Sequence, residues 1–251
     1  MTCEIFGIVN VTPDSFSDGG NFFTPKKSIE HAYSLFRDGA DFIDIGGEST
    51  RPNAEEVSTE EEWGRVEPVL IEFLQNPELR PKISLDTRNP EVARKFFDLG
   101  GEILNDVSGL CNKKMKELVA QCAKTIIIGH WSGEKVNEVH EQEIDSVFQV
   151  RDELLVRFTE LLHMGVSPDR IVLDPTIGFG KTMECNRELL KFAELVPEHQ
   201  VMIGHSRKRF LGEHRFEVEP NVKAAEIAIN SGARYLRVHD VLEHNQLLNN
   251  C

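Results

Sequence analysis

Asp86, Asn105, Asp174 and Lys208 each stand at or just beyond the end of a short apolar run: I-S-L-D, I-L-N, I-V-L-D and V-M-I-G-H-S-R-K. Their carboxylates, amide and ammonium suit a flat heterocycle with amide and amino edges. Arg51, Arg237 and His239 add positive charge suited to phosphate oxygens, which a guanidinium grips in a fork. Asn10, with the acidic loop that follows it, offers the oxygen ligands that Mg²⁺ takes, an ion that keeps waters and bridges phosphates. The sequence has no H-E-x-x-H, no P-loop and no G-x-G-x-x-G opening a helix, and Gly46-Gly47 is not such a fingerprint.

Each of these residues also has an ordinary explanation. Asp86 before Thr87, or Asp240, could simply cap the next helix. Gly178 and Gly180 could make a turn around Phe179, His130 could be a loop histidine, and Arg207 and Lys208 a solvated pair. What sets them apart is their placement: nearly every apolar run ends in a charged or hydrogen-bonding group. The stretch D-F-I-D-I-G-G-E-S-T-R-P, residues 41–52, shows the pattern most fully. A short strand runs into two glycines, which tolerate a sharp turn, and then into Glu48, Ser49, Thr50 and Arg51.

The elements needed to hold these groups alternate along the whole chain. Strands are expected at 5–9, 42–45, 82–86, 103–105, 125–128, 171–174, 201–204 and 235–238. Helices are expected at 25–37 with Thr24 as N-cap, from Ser58 through Phe73, from Asn89-Pro90 through Leu99, and at 113–122, 144–164, 184–195, 221–230 and 241–248. Strict alternation means a parallel sheet with helices outside. At 251 residues a closed (β/α)8 TIM barrel is the leading architecture, as one domain over 1–251, and an open doubly wound sheet is the competitor. In a barrel these groups would share the C-terminal mouth.

Composition narrows the partners. A formal net charge of −14 argues against nucleic acid and anionic lipid, and makes each rim cation more informative. No apolar run approaches a bilayer span, and the N-terminus lacks signal-peptide features. Five scattered cysteines without a C-x-x-C point to a reduced, cytoplasmic setting with no disulfide framework.

The motifs N-V-T-P-D-S-F-S-D-G-G (10–20), D-I-G-G-E-S-T-R-P (44–52), N-D-V-S-G (105–109), L-D-P-T-I-G-F-G-K, S-R-K and R-V-H-D-V occur in order over nearly the whole chain. Together they resemble the dihydropteroate synthases. The resemblance implies a β/α barrel that joins hydroxymethyl-dihydropterin pyrophosphate to para-aminobenzoate in folate biosynthesis, with Mg²⁺, usually as a homodimer and a sulfonamide target. Position by position it implies pterin contacts at Asp86, Asn105, Asp174 and Lys208. It implies pyrophosphate contacts at Asn10, Arg51, Arg237 and His239, with Asn10 also on the metal. Aminobenzoate contacts fall at or near Thr50, Pro52, Phe179, Ser206 and Lys208, and Asp18 lies in a loop that closes over the site. Asp174, Lys208, Asp86 and Arg237 would carry catalysis.

The chain departs from the family pattern at Asn53, Thr176 and Arg209. Trp131 takes a methionine position, where it would either cover the pterin face or pack within its loop. Two other functions fit a similar barrel: a pterin-dependent methyltransferase, which needs no pyrophosphate site, and a non-catalytic pterin-binding paralogue or partner subunit.

Overall fold

The computed structural model describes residues 3–12, 25–51, 54–131 and 136–249. Eight strands pair in sequence order, all parallel, and β8 returns to β1 to close the barrel. They are β1 (Glu4–Asn10), β2 (Phe42–Gly46), β3 (Ile83–Asp86), β4 (Ile103–Asp106), β5 (Thr125–Gly129), β6 (Ile171–Asp174), β7 (Gln200–Ile203) and β8 (Tyr235–Val238). The open doubly wound alternative is thereby excluded.

Because side chains alternate between the two faces of a strand, each strand feeds two environments. Ile43, Ile45, Leu85, Leu104, Ile126, Ile128, Leu173, Ile203 and Leu236 belong to the large core between barrel and helices. The opposite parity fills the barrel. Phe6, Ile103, Ile127, Val172 and Met202, flanked by Phe42 and Tyr235, form a separate apolar plug. Phe6 stacks on Phe42 at 4.5 Å and meets Tyr235 edge-on at 5.5 Å. Two residues further along the same strands, that interior face reads Asp44, Asn105, Gly129, Asp174, Gly204 and Arg237, with Asp86 following Ser84 on β3. The period of two therefore converts a greasy floor into a polar mouth at the C-terminal ends of the strands.

Helices α1 (Pro25–Arg37), α2 (Thr59–Leu74), α3 (Pro90–Asp98) and α4 (Lys113–Cys122) follow the expected positions. Side chains of Ser58, Asn89 and Asn112 cap the last three by accepting N–H groups of Glu61, Glu91 and Lys114. Thr24 and the acidic loop with Asp18 lie outside the described residues. The expected helix over 144–164 starts later, as α6 (Val147–His163), because Ser146 caps it. Ile144 instead bridges Lys181, with its N–H donating to Gly180 O at 3.0 Å and its carbonyl accepting from Thr182 N at 2.9 Å. A short helix, α5 (Val136–His140), precedes that bridge and was not expected. The segment 184–195 keeps its helical spacing of buried residues but tightens to a 3-10 turn at Leu189–Lys191, between α7 (Met183–Glu188) and α8 (Phe192–Leu195). Helices α9 (Val218–Asn230) and α10 (Val241–Asn249) complete the ring.

The glycine pair at the end of β2 serves close packing rather than a left-handed turn. Neither residue has positive φ, but a Cβ on Gly47 would sit 2.9 Å from the Glu62 carbonyl oxygen of α2. That approach buries the Glu62 carboxyl, which accepts a 2.6 Å hydrogen bond from the Thr87 hydroxyl. Burial pushes its pKa from 4.5 up to about 7. The folded state thus holds a proton that the unfolded chain releases. The stabilising share is complete below about pH 4.5 and is lost as pH rises through about 7. Glu62→Gln should melt above the wild type at pH 8, with the gap closing as pH falls toward 4.5. A constant gap in melting temperature across that range would contradict the assignment.

Candidate active site

Asp44 is the hub of the mouth. It is fully buried in β2 between two isoleucines, so its charge must be satisfied inside the barrel. Its Oδ1 accepts the Ser84 hydroxyl at 2.6 Å, and its Oδ2 accepts Asn105 Nδ2 at 2.9 Å and Arg237 Nε at 2.6 Å. Arg237 also donates from its NH2 nitrogen to Asp86 Oδ2 at 2.6 Å. One guanidinium is thereby stretched between carboxylates from β2 and β3, and Asn105 is oriented by the same acceptor. Burial pushes the Asp86 carboxyl up, while Arg237 pulls it back toward the ionised form. The surrounding acids hold Arg237 firmly protonated.

Asp174 ends β6 on the same face. Its Oδ1 accepts Thr176 N–H at 2.7 Å, and its Oδ2 lies on the side of Gly204, where a Cβ would come within 3.8 Å. Burial raises its pKa, against hydrogen bonding from Thr176 and the charges of Arg237 and Lys208. Thr176 adopts φ 47°. That conformation costs a β-branched residue about 1–2 kcal/mol. Two contacts offset it: the hydroxyl donates to the His130 carbonyl, and Lys181 Nζ donates to the same hydroxyl at 3.3 Å. Lys181 also donates to the carbonyls of Thr176 and Phe179, at 3.2 and 2.9 Å. It is a buried tie that fixes the turn after β6, with a pKa lowered by burial to about 7.

That turn presents Phe179 to the mouth. Lys208 Nζ sits 4.4 Å from the centre of its ring. Burial, then the charge of Arg237, lowers the Lys208 pKa to about 8, against the pull of Asp174 and Asp86. The Arg51 guanidinium is among the charges that depress it, which brings the exposed Arg51 to the same field. Ser206 and His239 meet at 2.9 Å between Oγ and Nδ1, and Ser206 Oγ accepts the His239 backbone N–H at 3.3 Å. The Ser206 hydroxyl proton is then free to donate to Nδ1, which leaves the ring proton on Nε2. His239 does not carry the positive charge expected of it. Burial, reinforced by Arg207, Arg237 and Lys208, drives its pKa well below 6.5, so it acts as a neutral donor.

Asn10 ends β1 in register with Gly46, on the parity of Phe6 and Ile8, and Thr50 follows β2 half-buried. Pro52 lies outside the described residues. Several rim groups turn out to be scaffolding. Glu48 is gripped in a fork by Arg88 at 2.7 and 2.9 Å. Asp106 accepts the N–H groups of Ser108 and Leu110 and the Ser108 hydroxyl, ordering its own turn. Asp240 pairs with Arg207 at 2.7 Å. His130 is buried against Glu153 at 3.0 Å and is held neutral, its pKa pushed down to about 2 by burial and the nearby Lys181. Trp131 is 2% exposed and packs with Val139, Phe179 and Val107. The residue missing from the expected set is Asp44. The signal was present in F-I-D-I-G, because a carboxylate between two strand isoleucines faces the barrel interior and requires a partner there.

A closed eight-stranded β/α barrel with carboxylates, an amide and cations gathered at one mouth is the form of a pterin-binding enzyme, and the "Pterin binding enzyme" family model matches residues 6–239. The dihydropteroate synthase of Neisseria meningitidis serogroup C is 43% identical over 95% of this chain and 88% of its own. The structure of Xanthomonas albilineans dihydropteroate synthase with 4-aminobenzoic acid superposes with a TM-score of 0.89 at 36% identity, covering 99% of this chain and 92% of the other. The same enzyme in complex with 7,8-dihydropteroate gives 0.85 at 33% identity, with the same coverages. The chain belongs to the dihydropteroate synthase family of pterin-binding enzymes.

Proposed function

We propose that this barrel condenses hydroxymethyl-dihydropterin pyrophosphate with para-aminobenzoate to give dihydropteroate and pyrophosphate, a transfer of an alkyl group other than methyl, in folate biosynthesis. The observation that carries the assignment is the interior polar layer of Asp44, Asp86, Asn105, Asp174 and Arg237 in a chain this similar to enzymes solved with 4-aminobenzoic acid and with dihydropteroate.

In the reaction, the bond between the pterin methylene and the pyrophosphate oxygen breaks, and its electron pair leaves on the pyrophosphate. The pterin ring delocalises the resulting cation. The neutral aniline nitrogen supplies the pair for the new C–N bond and then loses a proton. This asks for positioning and electrostatics rather than an activated nucleophile. Asp174, Asn105, Asp86 and Lys208 hold the flat ring, and Asp174 faces the developing positive charge. Arg237 and Arg51 take the leaving group, with His239 donating from Nε2. Thr50, Pro52, Phe179 and Ser206 border the aminobenzoate.

Asn10 would hold Mg²⁺ through its amide oxygen, and the ion would supply positive charge that neutralises the leaving group. The amide oxygen of Asn10, at the C-terminal end of β1, is the kind of hard oxygen donor that Mg²⁺ takes. A homodimer in the cytoplasm completes the proposal. Phe216, Val218, Ile227 and Leu242 expose apolar surface around α9 and α10, no helix among the described residues is long and apolar enough to cross a membrane, and Cys3, Cys111, Cys122 and Cys185 are free thiols.

The decisive experiment mixes the purified chain with the pterin pyrophosphate, para-aminobenzoate and Mg²⁺. Dihydropteroate and pyrophosphate should appear in equal amounts. Folded protein that binds the pterin yet releases no pyrophosphate would instead make the chain a binding subunit.

A further inference from the structure

His140 lies at the C-terminus of α5, outside every motif of the chain, yet it touches two of the residues assigned to the aminobenzoate side. Its Nε2 is 2.9 Å from the Thr50 carbonyl oxygen, across 90 residues of sequence. A carbonyl only accepts, so Nε2 carries a proton and donates. The ring also lies nearly parallel to that of Phe179, with centroids 5.1 Å apart and planes inclined by 28°. Burial depresses the pKa of His140, and Lys208, Arg209 and Lys181 oppose its protonation, so the imidazole is neutral.

The element that carries His140 is itself tied down. Ile144 hydrogen-bonds Gly180 and Thr182 across the short bridge to the turn after β6. Val139 shares the small apolar cluster of Trp131 and Phe179. The Val139 carbonyl oxygen approaches Gly180 so closely that a Cβ there would be 2.1 Å away. The segment therefore rides on the turn that bears Phe179, and His140 spans from it to the loop that bears Thr50. By contrast, Asp86 and Asn105 on the pterin side are held through Asp44 and Arg237 by hydrogen bonds of their own.

We propose that His140 is a positioning residue for the arylamine half of the site. It sets the separation between Thr50 and Phe179, and so governs how tightly the aminobenzoate ring is gripped, leaving the pterin half untouched. This rests on the assignment of Thr50 and Phe179 made above.

Two ligands that differ by the aminobenzoate unit test it, with the full chain and calorimetric titration. Pteroate reports both halves of the site, and 6-hydroxymethylpterin reports the pterin half alone. His140→Ala should weaken pteroate about tenfold, the scale of one hydrogen bond with its ring contact, and leave 6-hydroxymethylpterin within about twofold. His140→Gln, whose amide N–H can reach the Thr50 carbonyl, should recover most of the loss. It also serves as the reading if the alanine variant fails to fold, in which case loss of pteroate binding in the glutamine variant alone counts against the proposal. Equal weakening of both ligands, or of neither, overturns it. Wild-type protein that binds neither ligand overturns the assignment of the site itself, and this inference with it.

Discussion

Asp44→Ala should cost the fold about 3–5 kcal/mol, the typical penalty for removing one partner of a buried ion pair. The side chain lost is the common acceptor for Ser84, Asn105 and Arg237. None of the three can turn to bulk water, because Ser84 and Asn105 are buried and the Arg237 side chain is 19% exposed. Arg237 would be left on Asp86 alone, and Asn105 would lose the bond that sets its amide. Displacements of about 1 Å in such groups cost on the order of 100-fold in rate. Turnover should therefore fall by that order even in the fraction that folds. Asp44→Asn preserves volume and one acceptor oxygen, so it should be the more stable variant while remaining slow. Urea unfolding and steady-state turnover measure the two effects separately. An alanine variant with wild-type stability and rate would show that Asp44 organises nothing.

The second large effect belongs to the pair proposed to bind the pterin ring. Asp174→Ala and Lys208→Ala should each lose most of the turnover, on the order of 100- to 1,000-fold, comparable to deleting one preorganised electrostatic contact in an enzyme site. Asp174 is expected to act mainly on the chemical step, because the proposed reaction sets it opposite the charge that develops as pyrophosphate departs. Lys208 carries a further signature. With a pKa lowered to about 8, it is cationic below that pH and neutral above it. A reaction that uses the ammonium should decline as pH rises through about 8, and the residual activity of Lys208→Ala should lack that alkaline limb. Near-normal turnover in either purified variant would contradict the pterin assignment. An alkaline limb unchanged in Lys208→Ala would move that titration to another group.

The barrel was legible because its signal is repeated. Four-residue strands such as I-V-L-D and Y-L-R-V are too short to identify singly, but their alternation with amphipathic helices leaves few topologies. The site was legible for the related reason that a strand end is fixed once the strand is. What escaped was set by contacts between distant segments. Ile144 continues the apolar spacing of α6, yet the cap at Ser146 frees it to bridge Lys181, a contact that local periodicity cannot register. The residue type of His239 suggested a cation, and only its burial, with the cations packed around it, shows that the ring is driven toward the neutral form. Glu48 read as a rim group, but Arg88 had already claimed it. Asp44 sat inside a quoted motif, and its importance depends on Arg237, 193 positions away.

That separation bears on how the molecule is made. The salt bridge joins the second strand to the eighth, so a polypeptide emerging from the ribosome can build most of its wall while the binding mouth still lacks its central cation. Contacts this far apart close late and slowly. Competence to bind substrate should therefore arrive with docking of the final strand, and an early-terminated product would expose Asp44 and Asp86 to each other's repulsion without the guanidinium that bridges them.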